Sequence, residues 1–182
     1  MSDSDIDFVA LRDEVREAAR HAFTQVRQAH ADERFYAFAL FTDDEGMTIG
    51  PAANSEEGFE RMLQEASSGG AGEMSAYRWS TAEWAYEDDD TDAFTAICSK
   101  LFKASMDAED FKEFRKSVRK TMVQALADLN TEEFFGSGAE REQVTVFCSI
   151  SDSDRAIKFE DESSQKLNPA SVSEVFLRRW EA

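Results

Sequence analysis

Two histidines and two cysteines stand among thirty-eight acidic and twenty basic residues, and a reactive centre would have to be built from these groups. Nucleophilic catalysis needs a base held beside a thiol or hydroxyl. His21 falls off the apolar stripe of the first helical segment and His30 lies at its end, so both read as surface residues. No GxSxG motif is present. Cys98 and Cys148 sit inside apolar segments, which reads as two reduced, buried thiols. Asp3, Asp5, Asp7 and Glu14 have the spacing of a calcium loop, but Phe8 stands where a glycine must make the turn. Asp88, Asp89, Asp90 and Asp92 also lack that glycine, and Ser99 replaces the closing glutamate. CxxC and HExxH are absent, and the glycine-rich "SSGGAG" follows a helix and carries no P-loop lysine. The expectation is therefore no catalytic set, no metal and no cofactor.

The residues left are suited to contact. Tyr77, Arg78, Trp79, Glu83, Trp84 and Tyr86 fall within ten positions, more aromatic surface than a short helix usually buries. Rings with polar tips are the anchors of protein interfaces. This segment is the expected partner-binding surface; the competing reading is that it covers the end of a sheet. A second feature is basic: Lys112, Arg115, Lys116, Arg119 and Lys120 fall within nine positions. Internal pairing accounts for it best, with Glu109 facing Lys112 and Glu113 facing Lys116 at helical spacing. Thr42 and Asn54 are minor candidates because they interrupt apolar strand ends.

The elements that must position these groups follow from periodicity. Phe8, Leu11, Val15, Ala18, Ala22 and Val26 form one helical stripe over 6–30, with Asp3, Ser4 or Asp5 as cap. Phe35 to Phe41 is apolar on both faces, as an inner strand is. "TDDEG" makes a turn, and Met47 to Ala53 returns as a strand limited by Pro51. Asn54 and Glu57 form a capping box for a helix to about Ala66, and Ser80 with Glu83 a second one. "SSGGAGEMS" reads as a loop. A helix over 91–104 buries Phe94, Ile97, Cys98, Leu101 and Phe102; Asp107 caps a long helix with Phe111, Phe114, Val118, Met122, Ala125 and Leu129 inward. "VTVFCSI" is a further strand, "SDSDR" a turn, and Pro169 starts the last helix. The expected fold is a single α+β domain over 1–182. Its small antiparallel sheet consists of the hairpin 35–53 and a strand at 143–150, packed by five or six helices.

A net charge of −18 opposes binding to nucleic acid or an anionic membrane and favours a cationic partner. There is no signal peptide pattern and no apolar run long enough to span a bilayer, so a cytoplasmic location is expected.

The stretches "FYAFALFTD…PAANSEEGFER", "YRWSTAEWAYE" and "LNPASVSEVF" resemble an uncharacterised bacterial family, domain of unknown function four-three-zero-three. The likeness runs from the first helix to the last and implies a single-domain, cytosolic bacterial α+β protein, with no activity or site to carry over. By analogy with small acidic domains of this kind, the expected function is a non-enzymatic protein-binding module, an immunity or accessory protein acting on a cationic partner. Two alternatives stand beside it. One is a hydrolase-type enzyme with Glu83 and Asp43 or Asp44 as acid and base and Arg78 holding an anion. The other is a homo-oligomer, a dimer for instance, joined through Trp79 and Trp84.

Overall fold

The computed structural model describes residues 6–66, 71–87 and 92–181, and the side chains at 71–73, 92 and 93 are left aside. Helix α1 (Phe8–Ala29) begins where Asp7 accepts hydrogen bonds from the amides of Val9 and Ala10. The cap residues expected at 3–5 lie outside the described residues. Its stripe of Leu11, Val15, Ala18, Ala19, Ala22, Phe23 and Val26 is buried. Strand β1 (Phe35–Thr42) follows, then β2 (Gly50–Ser55), helix α2 (Glu56–Glu65) and helix α3 (Ala71–Trp79). A 3-10 turn (Thr81–Glu83) leads into a two-residue strand β3 (Tyr86–Glu87). Helices α4 (Asp92–Asp107), α5 (Phe111–Thr131) and the short α6 (Gly138–Arg141) precede strand β4 (Thr145–Ile150) and helices α7 (Ala156–Leu167) and α8 (Ala170–Leu177).

The four strands are ordered β3-β2-β1-β4. β1 pairs antiparallel with β2 and parallel with β4, and β2 pairs antiparallel with β3. The fold is α+β, as expected, but the sheet is mixed and eight helices surround it among the described residues. An apolar run does not encode strand direction. Only a short turn forces antiparallel pairing, and β4 is separated from the hairpin by several helices. Two helices stand where the sequence shows no helical stripe. α3 begins within the glycine-bearing stretch that reads as a loop; α7 follows the expected turn at "SDSDR" and buries Glu160, Ser163 and Ser164 with Leu167 rather than an apolar stripe.

β1 is the inner strand that its two apolar faces require. Phe38 and Leu40 face α1, α4 and α5; Ala39 faces the opposite cluster with Phe147, Phe176 and Trp84. The alternation breaks once. Phe35 pairs with Ser55 but Ala37 pairs with Asn54, so Tyr36 is an extra residue opposite a single step of β2. This bulge puts Tyr36 and Ala37 on the same face of the sheet. β2 is shifted from the expected span: Asp43 ties Met47 and Thr48 into the turn, and Pro51 pairs with Leu40 inside the strand. Pro51 is tolerated there because β3 pairs only with Ala52 and Ala53. Three caps also differ: Ser55, not Asn54, accepts from the Gly58 amide to start α2; Asp110, not Asp107, caps α5; and Ser80 makes no side-chain cap bond, with only a 3-10 turn following it where a short helix is expected.

The outer edge of β4 is closed by side chains rather than by another strand. Asn168 accepts from the Val146 amide at 2.8 Å and donates to the Val146 carbonyl at 2.7 Å. Ser163 on α7 accepts from the Cys148 amide at 2.9 Å and donates to its carbonyl at 3.2 Å. Together they mimic a pairing strand and remove an edge that would otherwise invite association. The polar face of α7 thus has a structural task. Cys148 is fully buried, which pushes its thiol pKa up, and both cysteines are free. Replacing Asn168→Ala orphans the Val146 amide and carbonyl. The variant is expected to lose about 1–3 kcal/mol in urea unfolding, with faster hydrogen exchange at Val146; unchanged exchange would show that α7 does not close this edge.

Candidate functional site

The aromatic segment from α3 to β3 meets the open end of the β1–β2 hairpin. The bulge at Tyr36 aims its hydroxyl at the Arg78 carbonyl, donating at 2.8 Å, while Asn54 Nδ2 donates to that hydroxyl at 2.9 Å. Trp84 Nε1 donates to the same carbonyl at 3.0 Å. The Arg78 guanidinium stacks 4.1 Å from the Tyr36 ring centre and holds Glu56 through two bonds of 3.0 and 2.8 Å. Gly58 is required beneath this arrangement: a Cβ would come within 2.9 Å of Ala85 Cβ, Asn54 Oδ1 and Ser55 Oγ.

A second knot ties the same end to the turn after α1. The Glu33 side chain, 8% exposed, accepts from Arg61 at 2.7 Å, from the Tyr86 hydroxyl at 2.5 Å and from Ser55 Oγ. Arg61 also donates to the Tyr86 hydroxyl at 2.7 Å. His30 lies against the Tyr86 ring, with centroids 4.4 Å apart. Burial opposes the charge on Glu33, but the bonds from Arg61, Ser55 and Tyr86 and the Arg61 charge outweigh it and hold the carboxyl at about 2. Burial pushes the Tyr36 hydroxyl up, as it does that of Tyr86 with help from the Glu33 hydrogen bond. A carboxylate this acidic is a poor general base, and tyrosines shifted upward are poor acids near neutrality. The hollow beside Tyr86 holds about 10 Å³, too little for a substrate. The polar cluster is a clamp.

Open space lies elsewhere. A groove of about 740 Å³ runs between the start of α1 and the end of α4, floored by Ile6, Ala10 and Leu11 and flanked by Phe102 and Met106. A hollow of about 430 Å³ shares Ile6, Ala104 and Asp107 with it and continues along the start of α5. Val9 and Met106 are each 74% exposed and Phe102 55%. Carboxylates rim both: Asp7, Glu14 and Asp107, then Glu109, Asp110 and Glu113, against Lys100 and Lys103. Lys100 is already paired with Glu14 at 2.6 Å. A third cleft of about 470 Å³ lies between α3 and α8, lined by Arg78, Trp79, Val175, Arg178, Arg179 and Glu181.

Residues 15–169 match the family model described as Domain of unknown function (DUF4303). The chain belongs to that family. No curated protein and no solved structure matches it. The DUF4303 span includes the clamp, while α8 and the residues of the groove before Val15 lie outside it.

Within this DUF4303 chain the expected contact surface divides. Trp84 and Tyr86 are interior, 4% and 5% exposed, because the strand that carries them closes the sheet beside Ala52 and Ala53. Trp84 packs edge-on against Phe147, so its removal would cost about 3–5 kcal/mol of core packing. Its ring is taken up by the core rather than presented to solvent. Tyr77, Arg78 and Trp79 are half-buried and Glu83 is exposed. The acid–base pair of the enzymatic alternative is not assembled: Asp43 and Asp44 sit at the hairpin turn, whereas Glu83 lies near Asn54 and Ser55 at the other end. Arg78 is committed to Glu56. Asn54 is fully buried within the clamp and Thr42 fully buried at the end of β1. The candidate ions at Asp3, Asp5 and Asp88–Asp90 fall outside the described residues.

Phe102, which spacing places on the inward stripe of α4, is instead 55% exposed, and this hides the groove in the sequence. Phe94, Ile97, Leu101 and Ala104 already fill that face and are buried. Phe102 and Met106, four apart, form a second apolar stripe, which is the signal that would have found it.

The Glu33 carboxyl makes acid stability diagnostic. Its folded pKa of about 2 lies below the ordinary 4.5, so the unfolded chain takes up the proton first. The stabilisation is complete above about 4.5 and lost as pH falls toward about 2. Glu33→Gln should be less stable than the parent by about 1–3 kcal/mol at neutral pH, with a flatter loss on acidification over that window. Parallel acid-unfolding curves would contradict the clamp.

Proposed function

We propose that this chain is a protein-binding module, and that the groove between α1, α4 and the start of α5 receives a cationic amphipathic segment of a partner protein. The observation that carries this reading is the combination at one place of exposed apolar side chains and a carboxylate rim. Phe102 and Met106 stand open to solvent beside Ile6 and Leu11, within a border of six acids and two lysines. Exposed apolar side chains gathered along a groove mark contact surfaces. A helix is about 10 Å across with its side chains, and helices dock in grooves by anchors spaced along one apolar face.

Charge selects the occupant. Asp107 and Glu109 make no ion pair among the described residues, so the rim has carboxylates free for a lysine- or arginine-bearing partner. The chain's net charge of −18 speeds encounter with such a partner at low salt. The role of an immunity or accessory protein is the form this takes when the partner is a basic toxin domain. Support for a non-enzymatic role comes from the clamp, where every perturbed group is shifted away from acid–base work at neutral pH.

The test uses fluorescent peptides sharing one apolar helical face, with a lysine or a glutamate polar face, plus a scrambled lysine peptide of equal charge. The amphipathic lysine peptide should bind best and weaken with salt. Phe102→Ala with Met106→Ala should cost it at least about tenfold, or about 1.4 kcal/mol, while leaving the fold intact. Equal binding of the scrambled peptide, or an unaffected double variant, would overturn the assignment.

A further inference from the structure

We infer that the carboxyl ends of β1 and β4 form a site for a phosphate group, supplied by free phosphate or a small phosphomonoester, with the Asp44 carboxylate occupying the anion's place when the site is empty. The inference is independent of the groove. Because β1 and β4 are parallel, the hairpin turn after Thr42 and the turn after Ile150 leave the sheet at the same edge, joined by the Ser151 amide donating to the Thr42 carbonyl at 2.8 Å. The turn lies on α5: Gly46, at φ 74°, has its Cβ position 3.5 Å from Arg115 Cα.

Three arginines from two helical segments converge there on a single carboxylate. Arg119 approaches Asp44 at 3.5 Å, Arg115 at 3.8 Å and Arg155 at 3.9 Å. These separations exceed the roughly 2.7–2.9 Å of a charge-assisted hydrogen bond. The close bond to the Asp44 carboxylate comes instead from Ser153 Oγ at 2.9 Å. One carboxylate is thus spread loosely over three guanidiniums. The Arg115 and Arg119 side chains are only 20% and 19% exposed, so water does not fully compensate them.

The same edge contains polar atoms that the protein leaves without partners. Arg119 Nε and Thr42 Oγ1 are two of the three enclosed side-chain atoms that make no hydrogen bond among the described residues. Buried polar groups are normally satisfied, and unsatisfied ones point to an absent partner. A phosphate group carries up to two charges on oxygens arranged in three dimensions, which suits donors arriving from several directions better than a planar carboxylate does. Arginine is the side chain that recognises it best. Asp44, 36% exposed, can turn outward to admit it. The other carboxylates here oppose binding or are engaged: Asp152 and Asp154 are exposed, and Asp43 is held by Met47 and Thr48.

The competing role of Asp44 gives an unusual test. Inorganic phosphate and phenyl phosphate are titrated into the whole chain by calorimetry at constant ionic strength, with chloride as control. Asp44→Asn should tighten phosphate binding at least about tenfold, since it removes the competing charge. Arg119→Gln and the more exposed Arg155→Gln should each abolish it, the second serving if the first fails to fold. Equal affinities assign the site to free phosphate and tighter phenyl phosphate binding assigns it to a monoester. Phosphate that binds no better than chloride, or Asp44→Asn that binds more weakly than the parent, would overturn the site and leave Asp44 as a structural ion-pair partner.

Discussion

One extra residue in β1 sets the arrangement of the whole hairpin end. Were β1 regular back from Ala37, Tyr36 would fall on the Phe38 face, toward α1, and its hydroxyl would be buried among apolar groups at a cost of a few kcal/mol. With the bulge, the ring turns to the opposite face and the hydroxyl meets both Asn54 and the Arg78 carbonyl. Arg78 can then lie on the Tyr36 ring and hold Glu56 at the start of α2. The end of α3 is fixed by that contact, and Trp84 and β3 follow into the core. On the other side Glu33 gathers Ser55, Arg61 and Tyr86, so both faces of the sheet are tied at one place. A cluster of ionisable groups in such a position invites a catalytic reading. Its satisfied hydrogen bonds and the direction of its shifts favour a structural one.

Legibility in the sequence tracked how local each determinant is. α1, α5 and the two-faced character of β1 rest on spacing within one segment, and all three were readable from their apolar residues. The caps of α2 and α5 are right in kind and displaced in position, whereas Ser80 stands in place without a cap bond. Serine and asparagine are both good caps, and only the bulge, which draws Asn54 to Tyr36, leaves the task to Ser55. α7 was invisible because Ser163 and Glu160 face inward to satisfy backbone and Arg179, a tertiary reason no periodicity carries. The parallel direction of β4 is likewise a property of packing. Among the candidate contact residues, aromatic composition identified the right segment but not which rings face water. Trp84 and Tyr86 lie inside, Phe102 is exposed where its spacing predicts an inward residue, and Met106 lies beyond the helix that the spacing predicts.

The acidity of the chain takes on a more specific meaning in the fold. Many carboxylates are consumed: Asp128 and Glu132 hold Arg12 and Arg20, and Asp44 holds the arginines of α5. That last pairing uses much of the basic stripe, and Lys116 turns to Glu113 as its spacing requires, whereas the expected Glu109–Lys112 pair is not formed among the described residues. The remainder is not spread evenly. Carboxylates border the apolar groove, where Asp107 and Glu109 make no ion pair among the described residues, while the α3–α8 cleft gathers Arg178 with Arg78 and Arg179, which are already paired with Glu56 and with Glu160 and Asp161. The proposed cationic partner suits the first better than the second. Family membership leaves the choice open, since the matched span includes α4 and α5 but neither the start of α1 nor α8.

The contact surface can be mapped directly by titrating an amphipathic lysine peptide into isotopically labelled protein and following amide and methyl resonances. The groove assignment predicts the largest shifts at the Met106 methyl, the Leu11 methyls and the amides around Phe102 and Asp107, with little change at Trp79 or Val175. Shifts centred on α3 and α8, or scattered over the surface without saturation, would contradict it.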